Sequence, residues 1–307
     1  MVKRASAHRQ LRDLKMITAI GGGHGLGRVL NSLMFMRKRL IGVVATTDNG
    51  GATGRLRQQQ QTIAWGDIRN CLSQLTQQPL AAEVLNFRFA DHHELQGHNF
   101  GNLLLHTLNQ VSARPLDGIA LLSRMLNITT RVLPMSEIPV DLVAETHEQL
   151  ECFGEVHVDQ LCRMPRRLKL EPEVHATPEA VQHILQSELI LLGPGSFMTS
   201  IMPPLLIAEI RQAIADSPAP VVFIDNLIAE QSPAGRLSLS ERLAWMEQQL
   251  GPLAIDLVIT NHADEQLTLP TINSIMPAHD APHRHDPASL LQALERAVTL
   301  LYPYKRG

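Results

Sequence analysis

The chain has 307 residues, 44% of them apolar and 4% aromatic, and a net charge of −3 with histidine neutral. That is enough apolar chain for one large α/β domain with a core of Leu, Ile, Val, Ala and Met. The slight acidity and the lack of a long basic stripe argue against duplex binding by phosphate neutralisation. The few aromatics argue against base-stacking platforms for single strands.

The first 15 residues, MVKRASAHRQLRDLK, read as a solvated basic tail without the apolar stretch of a signal peptide. No apolar run reaches the roughly 18 residues of a membrane span. Cys71, Cys152 and Cys162 are odd in number and lack paired ligand spacing. A disulfide framework or cysteine zinc site is therefore not expected, and a reducing compartment, the cytoplasm, is.

A first strand is expected over 16–20, running into GGGHGLG at 21–27 and a helix with Val29, Leu30, Leu33 and Met34 on one stripe. A second strand over 40–46 leads into a glycine-rich turn, TDNGGATGR at 47–55. WGDIRNCLSQL at 65–75 reads as a capped helix with Ile68, Leu72 and Leu75 on one face, and the polar loop DHHELQGHNFGN at 91–102 feeds LLLHTL. From about 127 to 170, short strand-like segments (RVLPMS, VDLVAET, ECFGEVHVD, RRLKL) suggest an inserted β or mixed lobe. ELILLGPGS at 188–196 is a buried strand ending in a glycine turn, followed by a helix over 205–215. Strands over 221–224 and 255–260 end at Asp225 and Asn261, and a helix over 288–301 comes last. The alternation predicts a Rossmann-like three-layer α/β fold with a mainly parallel sheet, a single domain over 16–307 carrying the insert.

Ligands of such sheets sit outside the carboxyl ends of the strands, and here those ends gather glycine turns, Asp225-Asn226 and Asn261. Gly21, Gly22, Gly23, His24 and Gly25 suit a phosphate, because glycines let the backbone approach it and the next helix offers free N–H groups. The dinucleotide fingerprint is approximate, with Leu26 in the third-glycine place, and a ligand-free strand-to-helix turn would explain the same residues. Asp48 lies where a dinucleotide fold holds its ribose-binding acid. It also opens a second glycine turn, which suits an oxygen ligand for Mg²⁺ with Asn49, Gly50, Gly51 and Thr53 around a phosphate. Arg55 or Arg57 could add charge-assisted contacts, and a plain Asn-Gly turn is the simpler alternative. Asp67 is either the N-cap of its helix or a second carboxylate facing Asp48. Asn99 and Asn102 could cap a helix or bond a ligand, with Gly101 allowing close approach. His92, His93 and His98 match no common zinc spacing. Gly193, Gly195, Ser196, Thr199 and Ser200 repeat the phosphate logic of the first turn, or simply open a capped helix. No nucleophile stands in a recognisable catalytic context.

GGGHGLG, DNGGATGRLR, GDIRNCL, GHNFGNLLL and GPGSFMTSIMPPLL, in this order, resemble the gluconeogenesis factor family of bacteria, in the superfamily of phospholactate transferase. The resemblance runs from about residue 16 to 261. It implies a nucleotide or nucleotide sugar against 21–25 and 193–196, with Asn99, Gly101 and Asn102 in a ligand loop. Asp48 and Asp67 match positions where the transferase branch holds a divalent metal, Mg²⁺. Two departures are Asn49, where many relatives carry a second acid (DDGGSSG), and DNLIAEQSPAG at 225–235 in place of NVMTQPGET. The family role implied is a UDP-sugar-binding regulator affecting cell-wall synthesis and cell shape during gluconeogenic growth. UDP-N-acetylglucosamine is the favoured ligand, and a homo-oligomer or a regulatory protein partner is compatible with that role. The alternatives are an Mg²⁺-dependent transferase and, from the bare fingerprint, an NAD(P)-dependent oxidoreductase.

Overall fold

The computed structural model describes residues 9–90, 94–273, 275–279 and 281–302. Ten strands occur among them: β1 (Ile17–Gly21), β2 (Leu40–Val44), β3 (Arg131–Pro134), β4 (Asp141–Glu145), β5 (Glu151–Phe153), β6 (Arg167–Glu171), β7 (Leu189–Leu192), β8 (Val221–Ile224), β9 (Leu257–Ile259) and β10 (Thr271–Ile272). Seven form one parallel sheet in the order β10-β9-β8-β7-β1-β2-β3. β1 lies centrally, with Ile17 opposite both Leu40 and Leu189.

Strands β1, β2, β7, β8 and β9 are buried along their whole length. Their continuous apolar runs are what a parallel sheet covered on both faces requires. Alternate side chains go to opposite faces. Ile17, Ala19, Leu189, Leu191, Val222 and Ile224 join one core with Leu26, Leu72 and Leu294. Ile20, Ile190, Leu192 and Phe223 join the other, with Phe197, Met202 and Ile210. The fold is therefore three-layered, as the alternation predicts. No helix among the described residues is long and apolar enough to cross a membrane.

Several boundaries differ from the sequence reading. β3 belongs to the main sheet, so the insert expected from about residue 127 begins after it, as the antiparallel sheet β5-β4-β6. The segment ECFGEVHVD is β5 followed by a short helix, Glu155–Asp159, which Gly154 opens at φ 84°. The helix expected over 205–215 is interrupted at Ile207, in extended conformation, between the helices Met202–Leu206 and Ala208–Asp216, and a π turn (Phe197–Ile201) precedes them. The stretch 47–55, read as a glycine turn, is helical from Gly51 on, in a helix that runs to Gln59.

Candidate functional site

The sheet reverses its winding between β1 and β7, and the two turns leaving these strands face each other there. Gly22 caps the helix Gly23–Ser32, so only a short turn, and not the whole of 21–27, is loop. After β7, Gly193 and Gly195 adopt φ 80° and 156°. The turns touch backbone to backbone: a Cβ on Gly21 would lie 3.6 Å from Gly193 Cα, and one on Gly25 would collide with the Pro194 carbonyl. Two stretches read separately as phosphate turns thus form one surface.

Asp67 lies beneath it. It is the third residue of the helix Trp65–Leu75, whose N-cap is Ala64, so the capping role considered for Asp67 does not apply. Its carboxylate packs against Gly22, where no side chain would fit, and accepts the Gly23 N–H. Burial and then the charge of Asp48 push its pKa up to about 7, against the Gly23 amide, Arg69 and Asn70. Asp48 accepts the Gly50 N–H through Oδ1 at 2.7 Å. Its Oδ2 lies 2.7 Å from where a Gly66 Cβ would stand. Asp48 thus closes its own turn through Oδ1 and lies close against Gly66.

Three further carboxylates reach this region, and the sequence reading missed them all. Glu155 accepts the Thr47 hydroxyl at 2.5 Å, and burial, then Asp48 and Asp67, raise its pKa well above the carboxylate range. Asp159 accepts from Ser196 Oγ at 3.4 Å and Thr199 Oγ1 at 3.3 Å, and burial raises it too. Glu230 accepts the Phe197 N–H at 3.2 Å and is likewise raised by burial. Ser196 and Phe197 therefore already have anionic partners. Glu155 and Asp159 come from a helix concealed inside an apparent strand, and Glu230 from a loop without periodicity.

The ligand-loop asparagines form a buried network. Asn99 caps the helix Phe100–Val111 by accepting the Asn102 N–H at 3.1 Å. Asn102 accepts from Arg69 Nε at 3.1 Å and donates to Thr53 Oγ1 at 3.2 Å. Gly101 packs on the Leu85 carbonyl and the Arg69 stem. Asn99 Nδ2 is buried without a partner. Asn49 turns to the insert and accepts the Val156 N–H at 3.2 Å. Arg55 donates to the Gln96 carbonyl at 2.8 Å. Arg57 donates to the carbonyls of Thr47, Asp48 and Val140 and pairs with Asp141 at 2.9 Å. Gly50 and Gly51 form the start of the helix at 51–59. His24 is held near pKa 4 by burial and by the charges of Arg284, Arg69 and His283. Asn261 pairs with both the carbonyl and the N–H of Ile275, holding the loop before the last helix. His92 and His93 lie outside the described residues. Among the described residues no three His, Cys, Asp or Glu side chains converge to hold a metal ion.

Sheet order and site together define a doubly wound α/β protein with facing glycine turns beside clustered carboxylates at its switch point. A family model described as 2-phospho-L-lactate transferase CofD matches residues 17–300, and the chain belongs to that family. It is 47% identical over 299 residues to the "Putative gluconeogenesis factor" of Yersinia pestis, covering 96% of this chain and 97% of that one. It is 31% identical over 250 residues to the "Gluconeogenesis factor" of Bacillus subtilis, covering 81% and 79%. A crystal structure of a UPF0052 family member from Bacillus halodurans superposes with a TM-score of 0.82 at 27% identity, over 91% of this chain and 99% of that one.

Proposed function

We propose that the chain is a nucleotide-sugar-binding regulatory protein, with the ligand phosphates seated on the paired glycine turns and a UDP-sugar as the favoured ligand. The observation that carries this reading is the convergence of both turns on one surface at the switch point. The family implies Mg²⁺, and the donors fit a hard cation: Asp48 and Asp67 would offer carboxylate oxygens, and burial together with the nearby Asp48 charge, which raise Asp67, is what a cation would relieve. Mg²⁺ characteristically uses one or two carboxylates and completes its shell with water and phosphate oxygens, so a pair without a third ligand is adequate. When bound, it would supply charge neutralisation between the phosphates and these carboxylates.

The test is thermal denaturation with UDP-N-acetylglucosamine, UDP-glucose, GDP and NAD, each with and without Mg²⁺. A ligand at 100 times its Kd adds about 2.7 kcal/mol of stability. Stabilisation by UDP-sugars supports the reading; none at millimolar ligand, with or without Mg²⁺, defeats it. The elevated Asp67 beside Asp48 also favours a second reading, an Mg²⁺-dependent transferase. That reading requires nucleotide release from a diphosphate-linked donor. Turnover surviving Asp48→Asn in a folded protein would count against it.

A further inference from the structure

The end of the sheet opposite the candidate site is basic. Nine of the first 39 residues are Lys or Arg, and Asp13 is the one acid among them. The fold gathers this charge. β1 and β2 are adjacent and parallel, with Ile17 opposite Leu40, so the segments leading into them arrive side by side. These are the helix Arg9–Asp13 and the 3-10 helix Met34–Arg39. Arg39 fastens one to the other, donating from Nη1 to the carbonyls of Arg12 and Leu14 at 2.7 Å each. Arg12 lies over the Phe35 ring, 4.6 Å from its centroid.

Arg9, Arg12, Lys15, Arg37 and Lys38 are all exposed around this junction. The carboxylates close by are engaged: Asp13 pairs with Arg9 at 3.9 Å, Glu188 accepts the Lys15 N–H, and Glu295 accepts the N–H groups of Gln10 and Leu11. Among the described residues Arg12, Arg37 and Lys38 form no ion pair. Apolar side chains stand among the charges. Met34 and Phe35 are half-buried, and with Arg37, Leu75 and Ile128 they line an open groove of about 520 Å³.

These cations are exposed and converge on no buried polar partner, so the surface is not built to grip one small anion. It matches a broad anionic surface, whose attraction sums over many loosely held Lys and Arg side chains. Interleaved apolar groups suit the headgroup region of a bilayer. A duplex would instead call for a long basic stripe, and single strands for free aromatic faces, whereas Arg12 already covers Phe35.

We propose that this end of the sheet is a peripheral docking face for anionic phospholipid bilayers, held by charge and without insertion. Asp48, Asp67 and Glu155 lie at the opposite ends of the strands, where the bilayer's negative field repels them. Contact through the basic end therefore turns the candidate site toward the aqueous phase. The proposal is independent of which ligand that site takes.

The test is co-sedimentation of the full chain with vesicles of phosphatidylcholine alone and of phosphatidylcholine mixed with phosphatidylglycerol, at low and at physiological salt. Binding is expected to the mixed vesicles only, and it should weaken steeply as salt rises. Each cation near such a surface contributes roughly a fivefold factor in affinity, so Arg12→Gln, Arg37→Gln and Lys38→Gln combined should weaken binding about 100-fold. Lys38→Gln alone keeps the Arg12–Phe35 contact and should cost about fivefold, which serves if the triple variant does not fold. Equal sedimentation with both vesicle types, or none with either at low salt, overturns the proposal. So does unchanged binding by the folded variants. Tighter binding to a duplex DNA fragment than to the mixed vesicles would make this a nucleic-acid surface and overturn it as well.

Discussion

His285 offers a sharp test of how the C-terminal segment is held over the strand ends. Its ring is buried, and Nε2–H donates to the Asp225 carbonyl at 3.0 Å. Burial lowers its pKa from 6.5 to about 4, against the pull of the Asp225 carbonyl and carboxylate. The folded protein therefore binds the proton more weakly than the unfolded chain. The group's contribution is full above the unfolded pKa and lost as pH falls through 6.5 toward 4. The shift corresponds to about 3 kcal/mol in total, of which about 2 kcal/mol is lost by pH 5. His285→Gln keeps an N–H donor but cannot titrate. Urea unfolding of both proteins at pH 7.5 and pH 5 gives a double difference in which other titrating groups cancel. The wild type should lose about 2 kcal/mol more than the variant between the two pH values. Equal losses would refute a neutral, buried imidazole at this position.

Asp67 works in the opposite direction. Its raised pKa favours folding below the ordinary carboxylate value, and that stability is lost as pH rises through about 7. Asp67→Asn should therefore stabilise the ligand-free protein at pH 8 by about 2–4 kcal/mol, far less at pH 5, as thermal unfolding at both pH values would show. Gly25→Ala places a methyl against the Pro194 carbonyl, which must move the two turns apart. A cost of about 1–3 kcal/mol is expected in urea unfolding, together with loss of ligand-induced stabilisation. Arg242→Leu leaves Asp225 buried and unpaired, with an expected loss of about 3–5 kcal/mol on denaturation. A near-neutral result would mean that the Asp225 charge is compensated elsewhere.

The parallel sheet was legible because its strands are continuous apolar runs punctuated by glycine, and both features report directly on burial and turning. Strand order was less so. That β7 pairs with β1 across about 170 residues depends on long-range packing that no local pattern encodes. Gly51 illustrates a limit of turn signals: GGATG reads as loop, yet glycine can start a helix once neighbouring layers bury Ala52 and Thr53. At the site, Asp48, Asp67 and the glycine turns were found because they sit at strand ends, where an α/β fold concentrates ligand contacts. Arg55 and Arg57 were offered as phosphate contacts on charge alone. The structure engages both with backbone carbonyls, a choice that depends on what stands opposite them.

The carboxylates impose one more constraint on any ligand. Asp48, Asp67, Glu155, Asp159 and Glu230 come from the main sheet's strand ends, a crossover helix, the insert and the loop after β8. Burial raises the pKa of four of them, and repulsion between neighbouring carboxylates raises Asp67, Glu155 and Glu230 further, so the field of the cluster opposes added negative charge. A phosphate arriving alone would meet that field together with amides already bonded to Glu230 and Asp67. A phosphate arriving with a dication would relieve the field, because the cation lowers the cost of keeping the carboxylates ionised. Ligand and cation should therefore bind with positive coupling, each tightening the other by the same factor. Titration of Mg²⁺ at fixed nucleotide and of nucleotide at fixed Mg²⁺ measures that factor twice. Independent binding of the two would show that the carboxylates do not share a site with the phosphates.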